Sequence, residues 1–393
     1  MLEQKLDQQL DDFYPTMVEM RRHLHQHPEL SFQEVETPAY IAKFHEELGN
    51  DVRIGVGGRG VVAKMVGGKP GKTVALRADF DALPIQDEKE VEYKSKIDGV
   101  MHACGHDGHT SSLLGLAKAL REIQEEISGT IVFIHQHAEE YAPGGAIEMI
   151  NDGCLDGVDY VFGTHLWATE PLGKLQYRTG PVMAAADRFH IEVQGQGGHG
   201  AMPHLTKDAI VIGSQLVTNL QQLVSRRVNP LQSAVLSIGA FEAKNAFNVI
   251  ADTATLTGTV RTFDEDVRAL MEKEIQRVVD GTCIAADATA KVDYVRGYPA
   301  VVNHHEETEA LAQLAPSVPG VELVEEMEPQ MGGEDFAYYL QHVKGTFFFT
   351  GAQNPKWEFA YPHHHPKFDF DERAMLISAK TLGRLALQFT EKG

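Results

Sequence analysis

The sequence predicts an α/β fold interrupted by an α+β insertion, and three observations lead there. Short apolar strands alternate with helical periodicities at both ends of the chain. Between about Asp187 and Pro299 the order changes to strand, helix, strand, strand, helix, strand, which is the ferredoxin-like split βαβ unit. The length of 393 residues exceeds what one hydrophobic core normally supports. Residues 1–186 and 300–393 are therefore assigned to one domain, and residues 187–299 to a domain inserted within it.

Taken in order, Leu6, Leu10, Phe13, Met17, Met20 and Leu24 recur at helical spacing until Pro28 breaks the helix near Gln26. Gly60 to Val66 is a short apolar run, and Thr73 to Leu76 reads as a strand leading into Arg77-Ala78-Asp79-Phe80-Asp81. A helix is expected from Thr110 to Ile123, then a β-branched strand from Thr130 to Ile134. In the insertion, strands are expected at Phe189 to Val193, Ala234 to Gly239, Thr253 to Val260 and Ala290 to Val295. Helices are expected at Asp208 to Val224 and Glu265 to Val279. An apolar strand at Thr346 to Thr350 and a closing helix from about Glu372 to Phe389 complete the chain, with no internal repeat or low-complexity tract.

Hydrophobic residues make up 43% of the chain and charged residues 23%, an ordinary balance for a soluble globular protein. A net charge of -21 argues against non-specific nucleic-acid binding and against attraction to an anionic membrane, both of which need a basic surface. The charged N-terminal segment lacks the apolar core of a signal peptide, and no later window is apolar for long enough to span a bilayer. A cytoplasmic protein is the expectation. Three cysteines cannot all pair, which favours reduced thiols; Cys154 and Cys283 sit among apolar neighbours and read as buried and inert.

Chemistry concentrates in a few clusters that follow strands, where open α/β sheets place their sites. Met101-His102-Ala103-Cys104-Gly105-His106-Asp107-Gly108-His109 packs one thiol, one carboxylate and three imidazoles into nine residues. Cys104 and His106 are ligands that suit zinc and its borderline neighbours; the alternative is a loop of surface histidines beside one buried cysteine. His135-Gln136-His137-Ala138-Glu139-Glu140 ends the second strand. In an extended segment adjacent carboxylates face opposite ways, so one can bind an ion while the other takes a proton; the alternative is a solvated charge pair. His165 lies in Gly163-Thr164-His165-Leu166-Trp167, and His363, His364 and His365 lie just after the last strand.

Other motifs carry less. Ser111 and Ser112 lack triad-like support and read as a helix start. Gly195 to Gly200 lacks the Lys-Ser/Thr ending of a phosphate loop. His25 and His27, beside Pro28, read as capping or surface residues at a helix exit.

Together these residues resemble the M20 metallopeptidase family, in its aminoacylase and amidohydrolase branch. RRHLHQHPELSFQE, RADFDALP, MHACGHDGH, HQHAEE, GQGGHGAMPH, GGEDF and HHPKFDFDE occur in the family's order and span nearly the whole chain. The resemblance implies a metal-binding α/β catalytic domain, with a central mixed sheet flanked by helices, and an inserted ferredoxin-like lid that dimerises. It implies two divalent metal ions per subunit, zinc or manganese with cobalt or nickel as alternatives, and hydrolysis of N-acyl amino acids or short peptides by a homodimer.

Carried over by position, Cys104 is the ligand shared between the metals, His106 and His165 complete one side, and Glu140 and His364 serve the other. His364 is preferred over its neighbours because it opens the His-x-Pro triplet before Lys-Phe-Asp. Glu139 aligns with the general base, and Asp79 and Asp81 support the ligands without being ligands. His199 is implied to reach the partner subunit's active site and, with Asn248, to bind substrate, while Gly332 and Gly333 let backbone approach it; Arg261 is a weaker candidate for carboxylate binding. One departure is His137, where the family commonly has Pro; no new ligand is expected from it, but local rigidity changes. A dipeptidase or carboxypeptidase with the same dinuclear centre is the enzymatic rival, and a noncatalytic metal-binding protein is the alternative from another class.

Overall fold

A computed structural model describes residues 2–392. The chain divides into two compact units: one comprises the residues up to Val182, Val302–Glu328 and those from Asp335 onward, and the other comprises Met183–Val301 with Pro329–Glu334.

The first unit is built on an eight-stranded mixed sheet. Its strands lie in the order Asp51–Val56, Gly60–Val66, Ser128–Gln136, Lys69–Asp79, Tyr160–Pro171, Lys344–Gln353, Lys174–Tyr177 and Leu323–Glu326. The four central strands run parallel, and antiparallel pairings flank them. Runs such as Val74-Ala75-Leu76 and Phe347-Phe348-Phe349 are buried along their whole length, as strands covered on both faces require. Three helices, Leu2–Gln26, His106–Glu122 and Arg373–Thr390, pack on one another and on the central strands. They approach closely: a Cβ added at Gly115 would stand 2.3 Å from Met17 Cε. Gly145–Asn151 and Phe336–His342 pack together and also lie on central strands of this sheet, Ser128–Gln136 for the first and Lys344–Gln353 and Tyr160–Pro171 for the second.

The second unit is an antiparallel sheet in the order Ala234–Glu242, Thr253–Thr262, Ala185–Gln194 and Thr289–Val295. This is the ferredoxin-like order, with strands two, three, one and four adjacent in turn. Phe189, Ile191 and Val193 are buried against the helices Ala209–Gln222 and Glu265–Ala285, while of the residues between them His190 is half-buried and Glu192 exposed. Both helices begin on an aspartate that accepts a backbone N–H of the first turn: Asp208 from Ile210 at 2.9 Å and Asp264 from Val267 at 3.0 Å. Asp208 is thus a cap and not a helical residue. Pro329–Glu334 joins this unit although remote in sequence, held by the Ala184 N–H donating to the Gln330 and Gly332 carbonyls.

Candidate metal centre

Parallel strands deliver the site. Lys69–Asp79 ends one residue pair before Asp81, Ser128–Gln136 runs into Glu139 and Glu140, and Tyr160–Pro171 carries His165. The helix His106–Glu122 starts on Gly105, whose φ of 97° is a conformation suited to glycine, so Cys104 and His106 stand on either side of a sharp entry. His364 occupies the left-handed region at φ 64°, with its N–H donating to the Ala103 carbonyl at 2.8 Å. That bond ties the C-terminal loop to the residue before Cys104.

These segments bring five of the expected donors together. The ligand atoms of Cys104, His106 and His165 lie within 4.8 Å of one another, and so do those of Cys104, Glu140 and His364. Cys104 therefore belongs to both groups. Its Sγ is 3.3 Å from His165 Nε2, and His364 Nε2 is 3.2 Å from Glu140 Oε1. His106 Nε2 faces Asp79 at 3.8 Å, Glu140 at 3.8 Å and Glu139 at 3.9 Å. It is buried and has no hydrogen-bond partner.

Neighbouring groups aim each imidazole by occupying its other nitrogen. His106 Nδ1 lies 3.0 Å from the Asp81 carbonyl and 3.1 Å from its carboxylate, and His165 Nδ1 lies 2.7 Å from the Leu166 carbonyl. In both rings Nε2 is the atom left for the cluster. His109 is different: Nδ1 pairs with Asp79 at 2.7 Å and Nε2 accepts the Leu166 N–H at 2.9 Å, so neither nitrogen is spare. Asp79 is held in turn by Arg77 at 2.6 Å, and Asp81 accepts the Glu140 N–H at 3.0 Å. Asp79 and Asp81 are thus each tied to segments that carry donors.

The electrostatics suit a cation. Burial alone would lower His106, but the Asp79 and Asp81 carboxylates outweigh it and push the imidazole up to about 10, so a proton fills the place the donors offer to a positive ion. Burial and the Glu140 and Glu139 carboxylates push the Cys104 thiol well up, so only a nearby cation makes it a thiolate. Burial holds His165 neutral, the form that ligates. A thiol, three imidazoles and carboxylates, arranged around an orphaned buried nitrogen, fit divalent metal ions.

His199, Asn248, Gly332 and Gly333 belong to the second unit. His199 pairs with Val249 on a two-stranded ribbon, and both His199 and Asn248 are exposed there. Gly333 lies against Ala186 and Arg261, where a Cβ would stand 3.1 Å from Ala186 Cβ. His102 is buried, joins no donor group and is lowered by burial to about 4. His137 turns to Glu148 at 3.3 Å and stays out of the cluster.

His25 corrects its sequence reading. It is not a capping or surface residue: fully buried, it contacts Asp107 at 2.7 Å and Asp87 at 3.3 Å. His27 is exposed, with Nδ1 near the His23 carbonyl at the helix end. Sequence reasoning also passed over His109 and Glu34, whose partners are far away along the chain; membership of the quoted motifs was the only signal for either.

Comparison with known proteins agrees with this geometry. Residues 75–388 match Peptidase family M20/M25/M40. A Bacillus subtilis (strain 168) protein named "Putative amidohydrolase YhaA" is 61% identical over 388 residues, covering 99% of this chain and 98% of its own. An N-acyl-L-amino acid amidohydrolase from Geobacillus stearothermophilus is 47% identical, covering 78% and 83%. The solved structure of Bacillus subtilis YXEP protein, described as a dinuclear metal binding peptidase from the M20 family, superposes with a TM-score of 0.85 at 35% identity, covering 98% of this chain and 99% of that one. The chain belongs to Peptidase family M20/M25/M40 and is a metal-dependent hydrolase of that family.

Proposed function

We propose that this chain hydrolyses the amide bond of N-acyl amino acids, with two divalent metal ions held around Cys104. The observation that carries the reading is the pair Glu139 and Glu140. Glu140 joins Cys104 and His364 at ligand spacing, and Glu139 adds a second carboxylate 3.9 Å from His106 Nε2. A closed structural site has no use for a second carboxylate at that place. The names of the Bacillus and Geobacillus relatives support amide hydrolysis, and the description of YXEP supports a dinuclear centre.

In this reading Cys104, His106 and His165 would hold one ion, and Cys104, Glu140 and His364 the other. Zinc or manganese suits this donor set, with cobalt or nickel as substitutes. Such ions, when bound, polarise the acyl carbonyl and make water acidic near neutral pH. Glu139 takes a proton from the attacking water as the water oxygen bonds to the acyl carbon. It returns that proton to the amine nitrogen as the C–N bond breaks, releasing a carboxylic acid and an amino acid. Asp79 and Asp81 keep the ligand-bearing segments in register. His199 and Asn248 bind substrate across a homodimer formed through the inserted domain, and Gly332 and Gly333 admit substrate close to the backbone. A cytoplasmic location suits a centre that depends on a reduced thiol.

The test is amine release from N-acyl amino acids and dipeptides by metal-stripped protein reloaded separately with zinc, manganese or cobalt. Cleavage of acyl amino acids only with metal is expected. Dipeptide-only cleavage would favour the peptidase reading, which the description of YXEP supports; no cleavage at full loading would overturn both.

A further inference from the structure

We propose that Glu34 is a positioning residue, whose carboxyl group clamps the turn from which Glu139 and Glu140 depart. The turn is conformationally expensive. Ala138 sits at φ 50°, in the left-handed region that costs a non-glycine residue roughly 1–2 kcal/mol. Its carbonyl accepts the Gly145 N–H at 3.0 Å, while its own N–H donates to Glu34 Oε1 at 3.0 Å. Two residues on, the Glu140 N–H donates to Asp81 at 3.0 Å. One buried carboxyl group therefore fixes each end of the turn, and the two glutamates are aimed by what lies between.

Glu34 does not act alone. The loop that carries it braces the same region at two further points. Ser31 Oγ donates to Asp81 Oδ2 at 2.7 Å, reinforcing the acceptor that holds Glu140. The Phe32 ring meets the His137 ring edge-on, with centroids 5.9 Å apart. Arg59 fastens the loop itself by donating to the Glu34 carbonyl at 2.5 Å. Three residues from 31 to 34 thus converge on the segment 137–140 and on Asp81, over a sequence distance of 104 residues between Glu34 and Ala138. A buried N–H left without its acceptor is costly, so losing Glu34 Oε1 frees the turn to leave the left-handed region.

The inference rests on the catalytic reading of Glu139, and its test separates the two. Three variants separate the reach of the acceptor from its presence. Glu34→Gln keeps an oxygen at the same reach, Glu34→Asp keeps the carboxyl group but retracts the oxygen by one methylene, and Glu34→Met removes the acceptor at similar volume.

The first readout is amide hydrogen exchange in metal-free protein. Exchange across residues 137–141 is expected to rise about tenfold in Glu34→Met and Glu34→Asp while residues 128–135 stay protected, and to stay near the parent in Glu34→Gln. The second is turnover: kcat falling about tenfold or more in the Met and Asp variants with KM within about threefold, and recovering in Gln. Should Glu34→Met fail to fold, Glu34→Asp carries the comparison. Parent-like exchange in the Asp or Met variant, or a Gln variant as impaired as Met, overturns the proposal. An inactive parent with intact protection at 137–141 would instead count against the catalytic reading and leave the clamp standing.

Discussion

Two histidine-rich clusters lie side by side in the first unit, joined through the consecutive residues His106 and Asp107, and they differ in one respect. In the cluster around Arg21 and His25, polar and charged groups meet at contact distance. Arg21 reaches Asp107 and Asp369 at 2.8 Å each, His25 reaches Asp107 at 2.7 Å, and Lys89 reaches His25 at 2.9 Å. In the cluster around Cys104, His106 Nε2 and the carboxylates stand 3.8 to 3.9 Å apart. The first spacing closes hydrogen bonds and leaves nowhere for an ion. The second is too long for a hydrogen bond and leaves His106 Nε2 without a partner, although His364 meets Glu140 at 3.2 Å and Cys104 meets His165 at 3.3 Å in the same cluster. Residue types alone cannot tell a structural network from a metal centre; a buried imidazole nitrogen that faces carboxylates without bonding them can.

Four predictions would break or sharpen that contrast. The largest effect is expected at Glu139: Glu139→Gln should lose about 10²- to 10⁴-fold in kcat while retaining two metals per chain by elemental analysis. Loss of metal as well would move Glu139 into the donor set. In the closed cluster, Arg21→Met should cost about 3–5 kcal/mol by denaturant unfolding, because it strands buried carboxylates, and should leave metal stoichiometry intact once the protein is folded. A variant that stays stable but sheds metal would erase the distinction between the clusters.

Third, Cys104→Ser should weaken metal binding by about 100-fold in competition with a chelator, since the softest donor is replaced. Unchanged affinity would remove the thiol from the centre.

The smallest effect concerns pH. Burial, with a contribution from the nearby Asp81, pushes Glu34 from its usual 4.5 up to about 8. Between those values the folded chain keeps a proton that the unfolded chain has released, so parental stability falls as pH rises through the window. Glu34→Gln lacks this dependence, and its Tm relative to the parent should improve by roughly 2–4 °C from pH 5 to pH 8. A constant difference would mean that Glu34 is ionised in the fold.

Legibility in the sequence followed the range of the interactions. The first helix, the strands around residues 60–79 and 130–134, and the whole order of the insertion were readable because their apolar periodicity is local. The helix Glu36–Glu47 was missed: Val35 precedes it and makes no side-chain cap, so the usual capping residue does not announce its start. The short strands Lys174–Tyr177 and Leu323–Glu326 owe their form to pairing with distant partners. In the site, clustered ligands announced themselves, whereas His25 looked like an exposed helix exit because Asp107 and Asp87 are more than sixty residues away. Nothing local distinguishes a histidine that closes an ion pair from one that waits for a metal.

The position of Lys344–Gln353 within the sheet has a consequence for biosynthesis. It lies between Tyr160–Pro171 and Lys174–Tyr177, strands that leave the ribosome long before it. Until residue 344 emerges, the edge of Tyr160–Pro171 that bears His165 is unpaired, while the whole of Met183–Val301 has already been made. The nascent chain thus carries an open strand edge through the synthesis of an entire second unit, and that interval is where a holdase or a slow codon tract would have the most to protect.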